Sequence, residues 1–308
     1  MAQLIKLDNY ISRYQRDIFH YPSQFSRLKT ENWQRLKYLW HDQMQLKLEV
    51  NDQDKIEDTN FSKWRSFFKS RSEEIDKDSD DKKELEYLPE TEEELKYYFL
   101  DTLMPFQLKW ASSTINEMSF IDKRYYRDLL LKYFLQRIPD THLLMYFPVF
   151  QLKNGPLEGD IVLISPLEIE VITLIERPSN QTIIPNDSRS WYIEENNIQS
   201  NFLSPLISTK RTVKVIQSIL QKYDLQFPVK KIILSRTNKI DFHIEPYQTV
   251  YIDREQHDQW LQKKQNLNVP LKHHQLKIAG TLLKHCESIA VSRPEWKQEK
   301  NPSDSFWF

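Results

Sequence analysis

The chain has 308 residues, 39% of them hydrophobic and 13% aromatic, and a formal net charge of −1. This length can bury the core of one large domain or two smaller ones, and the near-neutral charge gives no global basic signature of nucleic-acid binding. Only three glycines are present, Gly155, Gly159 and Gly280. A Walker P-loop or a Rossmann fingerprint needs clustered glycines at a helix start, so no nucleotide cofactor is expected.

The single cysteine, Cys286, excludes an intrachain disulfide and a zinc site built mainly from cysteines. The first residues have no apolar core like that of a signal peptide, and no run of about 18 apolar residues occurs anywhere in the sequence. We therefore expect a cytoplasmic protein with no membrane partner.

The N-terminal residues are predicted to be helical. Residues 3–19 and 23–46 each read as a helix, and the second has an apolar stripe at helical spacing that includes Phe25, Trp33 and Leu36. A stripe of this kind is typical of helix–helix packing. Residues 1–46 are therefore interpreted as an N-terminal helical region.

A strongly acidic segment follows. Residues 71–95 contain twelve acidic and four basic residues, which leaves the rest of the chain with a net charge of +7. Such a segment buries too little apolar area to offset the entropy of ordering. Residues 47–95 are therefore predicted to be an acidic, largely disordered insertion. It is either simply solvated or a segment that docks a partner or mimics nucleic acid.

The next segment returns to helical patterning. A helix is predicted over 90–112, with acidic residues in its first turn and a break at Pro105. A second helix is predicted over 122–137. Residues 96–121 are interpreted as a helical connector.

The pattern then changes to strands. Apolar, β-branched runs predict three strands, at 143–152, 160–165 and 167–176, with weaker strands at 181–184 and 190–193. A helix over 208–223, with Ser208 or Thr209 as its N-cap, precedes two more strands and two helices, at 229–235, 248–253, 254–264 and 270–290.

This order predicts an α/β (α+β) fold in which a mixed sheet is flanked by helices. The α/β domain is expected to span 122–265. Residues 266–308 would then form a C-terminal helix and a frayed tail.

The same elements resemble a known family. The resemblance lies between Tyr125 and Lys264, under half of the chain, and rests on the helix YYRDLLLKYFLQRIPD, the hairpin EGDIVLISPLEIEVITLIE, the helix SPLISTKRTVKVIQSIL and the strands VKKIILS and QTVYID. This region is similar to the nuclease-related domain (NERD) of the PD-(D/E)XK nuclease-like superfamily. The resemblance implies a restriction-endonuclease-like fold.

The superfamily cuts phosphodiester bonds with water that one or two Mg²⁺ ions activate. The resemblance implies an Asp at the start of one strand, an acidic residue on the next strand and a Lys two residues further on. Asp160 matches the first position, whereas Thr173 and Ile175 stand at the expected Glu and Lys positions. Thr is a poor substitute for an anionic Mg²⁺ ligand, and Ile has no charge. The catalytic motif is therefore expected to be degenerate.

A shift of register does not restore the motif. Glu168, Glu170 and Glu176 each differ from Thr173 by an odd number of residues, so strand alternation places them on the opposite face of the sheet. None of them is followed two residues later by Lys. The remaining candidate for a second carboxylate is Asp128, on the preceding helix, where the family usually has a Gly-Glu pair.

Basic residues of the helix predicted over 208–223 are candidates for nucleic-acid contacts. Lys210 and Lys214 are neighbours on one helix face, and Arg211 lies beside them. The alternative is a solvated helix face. Asp241, His243 and Glu245 would share a strand face, which indicates either a polar edge or a divalent metal site.

The sequence thus favours a catalytically inactive NERD-like domain that acts as a binding module for DNA or for a DNA-handling protein. No cofactor is expected under this interpretation. One alternative is an active nuclease in which Mg²⁺ is held by Asp160 and a carboxylate such as Asp128. Another is a protein-interaction factor that uses the acidic insertion. The sequence does not determine the oligomeric state.

Overall fold

The computed structural model describes residues 1–49, 88–153, 155–186, 189–267 and 269–293. Two short 3-10 helices, Arg13–Gln15 and Lys123–Arg127, lie in these ranges. The α-helices in the same ranges are α1 (Tyr21–Glu49), α2 (Glu92–Trp110), α3 (Leu129–Arg137), α4 (Leu206–Lys222), α5 (His257–Gln265) and α6 (His273–Leu283). None of the described helices has the length and apolar character needed to cross a membrane.

The strands of the described residues are mostly short. They are β1 (Gln3–Leu7), β2 (Glu117–Met118), β3 (Leu143–Tyr146), β4 (Val149–Leu152), β5 (Gly155–Glu158), β6 (Ile161–Ile164), β7 (Ile169–Leu174), β8 (Thr182–Ile184), β9 (Ser190–Glu195), β10 (Ile198–Leu203), β11 (Val229–Leu234), β12 (Lys239–Ile240), β13 (Thr249–Ile252) and β14 (Val291–Ser292).

The main sheet has six strands in the order β1–β3–β6–β7–β11–β13. β1 is parallel to β3, and β7, β11 and β13 are parallel to one another. β6 is antiparallel to both of its neighbours, β3 and β7. The sheet is therefore mixed and flanked by helices, which confirms the predicted fold class.

The predicted hairpin is formed by β6 and β7. Ile161 lies opposite Ile172 and Ile164 lies opposite Ile169, with all four β6 residues buried. Ser165 closes the turn, because its hydroxyl accepts hydrogen bonds from the backbone of Leu167 and Glu168. The hairpin therefore occupies the middle of the main sheet.

Helices pack on both faces of this sheet. On one face α4 packs against β7 and β11, and α6 packs against α4. On the other face α5 contributes Lys264, which binds Glu170 of β7, and α3 contacts β3. Burial on both faces explains why β3 and β6 are continuous apolar runs rather than alternating ones.

A second sheet has the strand order β10–β9–β8–β12. Trp191 and Ile183 from this sheet form a buried cluster with Leu206 of α4 and with Ile175 and Ile233 of the main sheet. This cluster joins the small sheet to the end of the main sheet where β7 and β11 finish.

The described chain divides into two compact units, Met1–Pro22 with Leu108–Phe308, and Ser23–Gln107. The second unit holds most of α1 and α2. Its core includes Trp33 against Phe99, with ring centroids 5.3 Å apart, and the buried residues Leu36 and Leu95. The helix predicted over 23–46 is confirmed as part of α1.

The helix predicted over 3–19 is wrong. Residues Gln3–Leu7 form β1, an edge strand of the main sheet, and all five are buried. Lys6 is a charged residue of this segment, and its side chain is nevertheless fully buried. Its Nζ donates to the carbonyl oxygens of Tyr10 (2.5 Å) and Glu287 (2.6 Å) and to Ser288 Oγ (3.0 Å). Its three N–H groups are thereby satisfied inside the fold.

Two further boundaries differ from the predictions. Pro105 lies inside α2 and does not break it. The helix predicted over 122–137 is divided at Asp128, which ends the 3-10 helix and begins α3 as its N-cap.

The strand predicted over 143–152 is also divided in two. β3 and β4 are separated at Phe147, whose positive φ of 46° turns the chain before Pro148. The two parts then belong to different sheets.

Two predicted segments lie largely outside the described residues. They are the acidic insertion, of which 50–87 are not described, and the C-terminal tail from 294 onward. The predictions for these segments therefore stay predictions.

The buried ammonium of Lys6 predicts a pH-dependent contribution to stability. Burial lowers the pKa of Lys6 to about 8, while Cys286, Asp8 and Glu287 act in the opposite direction. Between pH 8 and 10.5 the unfolded chain binds more protons at this group, so its contribution to the free energy of unfolding rises with pH. The rise approaches about 3 kcal/mol over this window, at about 1.4 kcal/mol per pKa unit.

Urea unfolding of the native protein and of Lys6→Met across this window measures the effect. The difference in unfolding free energy should move in favour of the native protein as the pH rises. Parallel pH curves for the two proteins would contradict this assignment.

Candidate functional site

Asp160 lies at the entrance to β6, directly after Gly159. The amide of Gly159 donates to the carbonyl oxygen of Pro148 at 2.8 Å. A Cβ at position 159 would lie 2.9 Å from the Phe150 ring and 3.1 Å from that same carbonyl oxygen, so the close approach of these segments requires glycine. The close packing of Gly159 against Pro148 and Phe150 therefore determines the position of Asp160 at the start of β6.

The Asp160 side chain is only 8% exposed and is bound by hydroxyl groups of α4. Thr212 Oγ1 donates to Asp160 Oδ2 at 2.9 Å, and the Asp160 amide donates to the same hydroxyl oxygen at 3.1 Å. Thr173 of β7 lies alongside, with its Oγ1 2.6 Å from Oγ1 of Thr209. The surroundings of Asp160 are therefore a set of hydroxyl groups that joins β6 and β7 to α4.

The electrostatics of the site follow from this arrangement. Burial raises the pKa of Asp160 above its usual range, while hydrogen bonds from Thr212, Thr173 and Ser208 and the charge of Arg211 act in the opposite direction. Mg²⁺ prefers anionic oxygen ligands, so a Mg²⁺ site at Asp160 would be expected to have further carboxylates where this structure has hydroxyl groups. The residues present therefore do not fit a Mg²⁺ site.

Thr173 and Ile175, at the positions predicted for the Glu and Lys, have other contacts. Thr173 faces α4, as its contact with Thr209 shows. Ile175 is 7% exposed and belongs to the buried cluster around Trp191. A lysine at position 175 would place an ammonium group among these apolar side chains, which is costly without a partner.

The glutamates of the hairpin lie away from Asp160. Glu170 is on the opposite face of β7, where its Oε1 accepts from Lys264 Nζ of α5 at 2.6 Å. Glu168 binds Lys230 at 2.7 Å, and Glu176 binds Arg236 through two hydrogen bonds. The strand alternation read from the sequence is thus the arrangement that the structure has.

Asp128 does not join Asp160. Its Oδ1 accepts from the backbone of Leu130 and Leu131 as the N-cap of α3, and its Oδ2 accepts from the Tyr146 hydroxyl at 2.8 Å. The register places Tyr146 on the same face of the sheet as Glu170, opposite the face that carries Asp160. The structure therefore does not bring the two proposed carboxylates together.

The alternating residues after β12 lie in a loop. Asp241 is exposed, and the Glu245 carboxylate accepts from the backbone of Tyr251 at 2.9 Å. In the described part of the chain no group of three or more His, Cys, Asp or Glu side chains is placed to hold a metal ion.

The predicted cationic residues lie together on the outer side of α4. Lys210, Arg211 and Lys214 are all exposed, whereas Thr209 and Thr212 on the inner side are fully buried. Arg211 is close enough to Asp160 to influence its pKa. One side of α4 therefore binds Asp160, and the other presents positive charge to solvent.

Sequence reasoning missed the role of the α4 hydroxyl groups. Ser208 and Thr209 were predicted as N-caps, which is wrong, because Pro205 is the N-cap and both hydroxyls donate to its carbonyl oxygen. The signal that could have found them is the spacing of Ser208, Thr209 and Thr212, which places three hydroxyl groups within one turn on the inner side of the helix.

Asp160→Asn is expected to raise the free energy of unfolding at neutral pH. Asn keeps an oxygen that accepts from Thr212 but removes the charge that burial disfavours. Since the folded pKa lies above the ordinary value of 3.8, folding favours the protonated acid, so the advantage of the Asn variant should shrink as the pH falls. Urea unfolding at several pH values measures this.

Asp160→Ala is the control for this experiment, because it leaves the Thr212 hydroxyl without its acceptor. It should be about 1–3 kcal/mol less stable than the native protein at low pH, where Asp160 is protonated, and this loss should shrink as the pH rises, in parallel with the change seen for the Asn variant. An Asn variant that is less stable than the native protein at neutral pH would show that the structure needs the charge itself.

Comparison with known proteins gives a short similarity. A stretch of 40 residues is 50% identical to part of an RNA 2′,3′-cyclic phosphodiesterase from Geobacillus stearothermophilus. The match covers 13% of this chain and 13% of that protein, so the chain spans about an eighth of the length of this relative. No family model matches the chain. No solved structure matches it either.

Proposed function

We propose that this protein is a cytoplasmic, NERD-like module of restriction-endonuclease-like fold that binds nucleic acid and does not cleave it. The element order around the hairpin supports this proposal: α3, β3, β6, β7, α4 and β11 occur in this order along the chain, with other strands between some of them, and their four strands are adjacent in the main sheet. The binding partner in this proposal is DNA, with no cofactor required.

The main support for the proposal is that the two sides of α4 differ: one faces Asp160 and the other faces solvent. Its inner hydroxyl groups occupy the space around Asp160 in which a nuclease would hold metal ligands. Its outer side exposes Lys210, Arg211 and Lys214 beside that position. Lysine and arginine side chains at this spacing neutralise phosphates of a nucleic-acid backbone and release its counterions.

The active-nuclease alternative requires a second carboxylate near Asp160. Asp128 is committed to Tyr146 and to the N-terminus of α3, and Glu170 is committed to Lys264. The protein-interaction alternative depends on the acidic insertion, whose residues 50–87 lie outside the described part of the chain. Neither alternative gains support from a described contact.

DNA binding is expected to depend strongly on salt and on the outer side of α4. The double variant Lys210→Ala/Lys214→Ala should weaken binding and reduce the slope of log affinity against log salt by about 0.9 for each lysine that contacts a phosphate. Fluorescence anisotropy of labelled DNA over a salt series measures both quantities.

A matched control is Arg254→Ala/Lys263→Ala, which removes the same charge from exposed positions before and on α5, the helix on the opposite face. It should leave the salt slope unchanged. An equal loss in both double variants would show that the attraction comes from overall charge, and no binding at low salt would reject the proposal.

Cleavage is expected to be absent under conditions that support Mg²⁺-dependent nucleases. Incubation with single- and double-stranded DNA and Mg²⁺ or Mn²⁺, followed by gel electrophoresis, should leave both substrates intact, because Thr173 and Ile175 supply neither a metal ligand nor a positive charge. Cleavage that disappears in Asp160→Ala would overturn the proposal. Cleavage that persists in that variant would indicate a contaminant.

A further inference from the structure

A pair of exposed apolar side chains lies in the loop between β12 and β13. Tyr247 is 83% exposed and Ile244 is 84% exposed. Single exposed apolar residues are common, whereas an exposed aromatic ring on a fixed backbone offers a flat apolar surface to a ligand.

The backbone that carries Tyr247 is held by several hydrogen bonds. Its carbonyl oxygen accepts from Lys231 Nζ at 2.7 Å. The Thr249 amide donates to Pro246 O at 2.9 Å, and the Lys231 amide donates to Gln248 O at 2.9 Å. The Tyr247 ring is therefore presented to solvent from an anchored segment.

Lys231 connects this ring to the cationic side of α4. It lies on β11 opposite Val171, on the face of the sheet that α4 covers. Burial lowers the pKa of Lys231, and the positive charge of Lys210 acts in the same direction. Lys231 therefore lies on the face of the sheet against which α4, the helix of Lys210 and Lys214, packs, and its ammonium group contacts the Tyr247 backbone.

We propose that Tyr247, together with Lys210, Lys214 and Lys231, forms a binding surface for single-stranded nucleic acid, in which the lysines contact the phosphates and a base stacks on the tyrosine ring. This proposal rests on the proposed nucleic-acid binding and names the strand state of the ligand. Cationic side chains that follow a backbone, next to an aromatic ring that accepts a base, are the combination that single-strand binders use.

The expected preference for a single strand follows from which bases the Tyr247 ring can stack on. In a duplex the bases are already stacked on one another, so an exposed tyrosine gains little from them, whereas an unpaired base offers its face. Acidic residues in the same loop limit the positive area: Asp241 is exposed, while Glu245 is held by the Tyr251 amide.

The test compares labelled oligothymidine with a labelled DNA hairpin duplex, using anisotropy at fixed low salt. Tyr247→Ala should weaken binding of the single strand about fivefold or more, because base–aromatic stacking contributes about 1–3 kcal/mol per base, and should leave duplex binding nearly unchanged. Tyr247→Phe keeps the ring and should restore the native affinity. Phe120→Ala removes another exposed aromatic ring, 75% exposed after β2, and should have no effect.

Each outcome separates this proposal from the one on which it depends. If the native protein binds neither probe, the proposed function itself fails. If it binds both and Tyr247→Ala affects neither, or both equally, nucleic-acid binding stands and the single-strand surface is rejected. Oligouridine run beside oligothymidine distinguishes the two sources of a single strand: equal sensitivity to Tyr247→Ala supports a surface that reads base stacking alone.

Discussion

The hydrogen bonding of Asp160 to the hydroxyl groups of α4 is the interaction on which the rest of the site depends. A buried carboxylate needs donors, and here Thr212 supplies one, while Thr173 and Thr209 complete the contact between β7 and the helix. The inner side of α4 is thereby fixed to the sheet. Because a helix held in this way can turn only one side outward, Lys210, Arg211 and Lys214 are necessarily presented to solvent. The burial of Asp160 and the proposed binding surface thus have the same structural cause.

The two faces of β7 carry separate polar contacts. Thr173 meets α4 on one face, and Glu170 meets Lys264 of α5 on the other. A buried ion pair of this kind adds little net stability but becomes costly when one partner is removed, so it commits Glu170 to its position. Glu176, beyond the end of β7, is likewise held by two hydrogen bonds from Arg236. The acidic residues that make the hairpin look like a metal site therefore already have partners.

The sequence predicted the hairpin and the strand alternation correctly because both depend on local patterns. The β-branched run at 167–176 could only be a buried strand, and parity then decided the faces. The helix predicted over 3–19 failed because the buried Lys6 depends on Glu287 O and Ser288 Oγ, partners distant in sequence that a local pattern does not contain. β10 was missed because its residues are mostly exposed and its apolar residues do not alternate with the polar ones. The hydroxyl contacts of Asp160 likewise come from residues about 50 positions later in the chain.

The most direct test of this account is an amide NMR titration of the isotopically labelled protein with a single-stranded oligonucleotide in the presence of Mg²⁺. We expect the signals of Lys210, Arg211, Lys214 and Tyr247 to shift, those of α5 on the opposite face to stay in place, and the oligonucleotide to remain intact at the end of the titration. Shifts confined to other parts of the protein, or cleavage of the oligonucleotide during the titration, would contradict it.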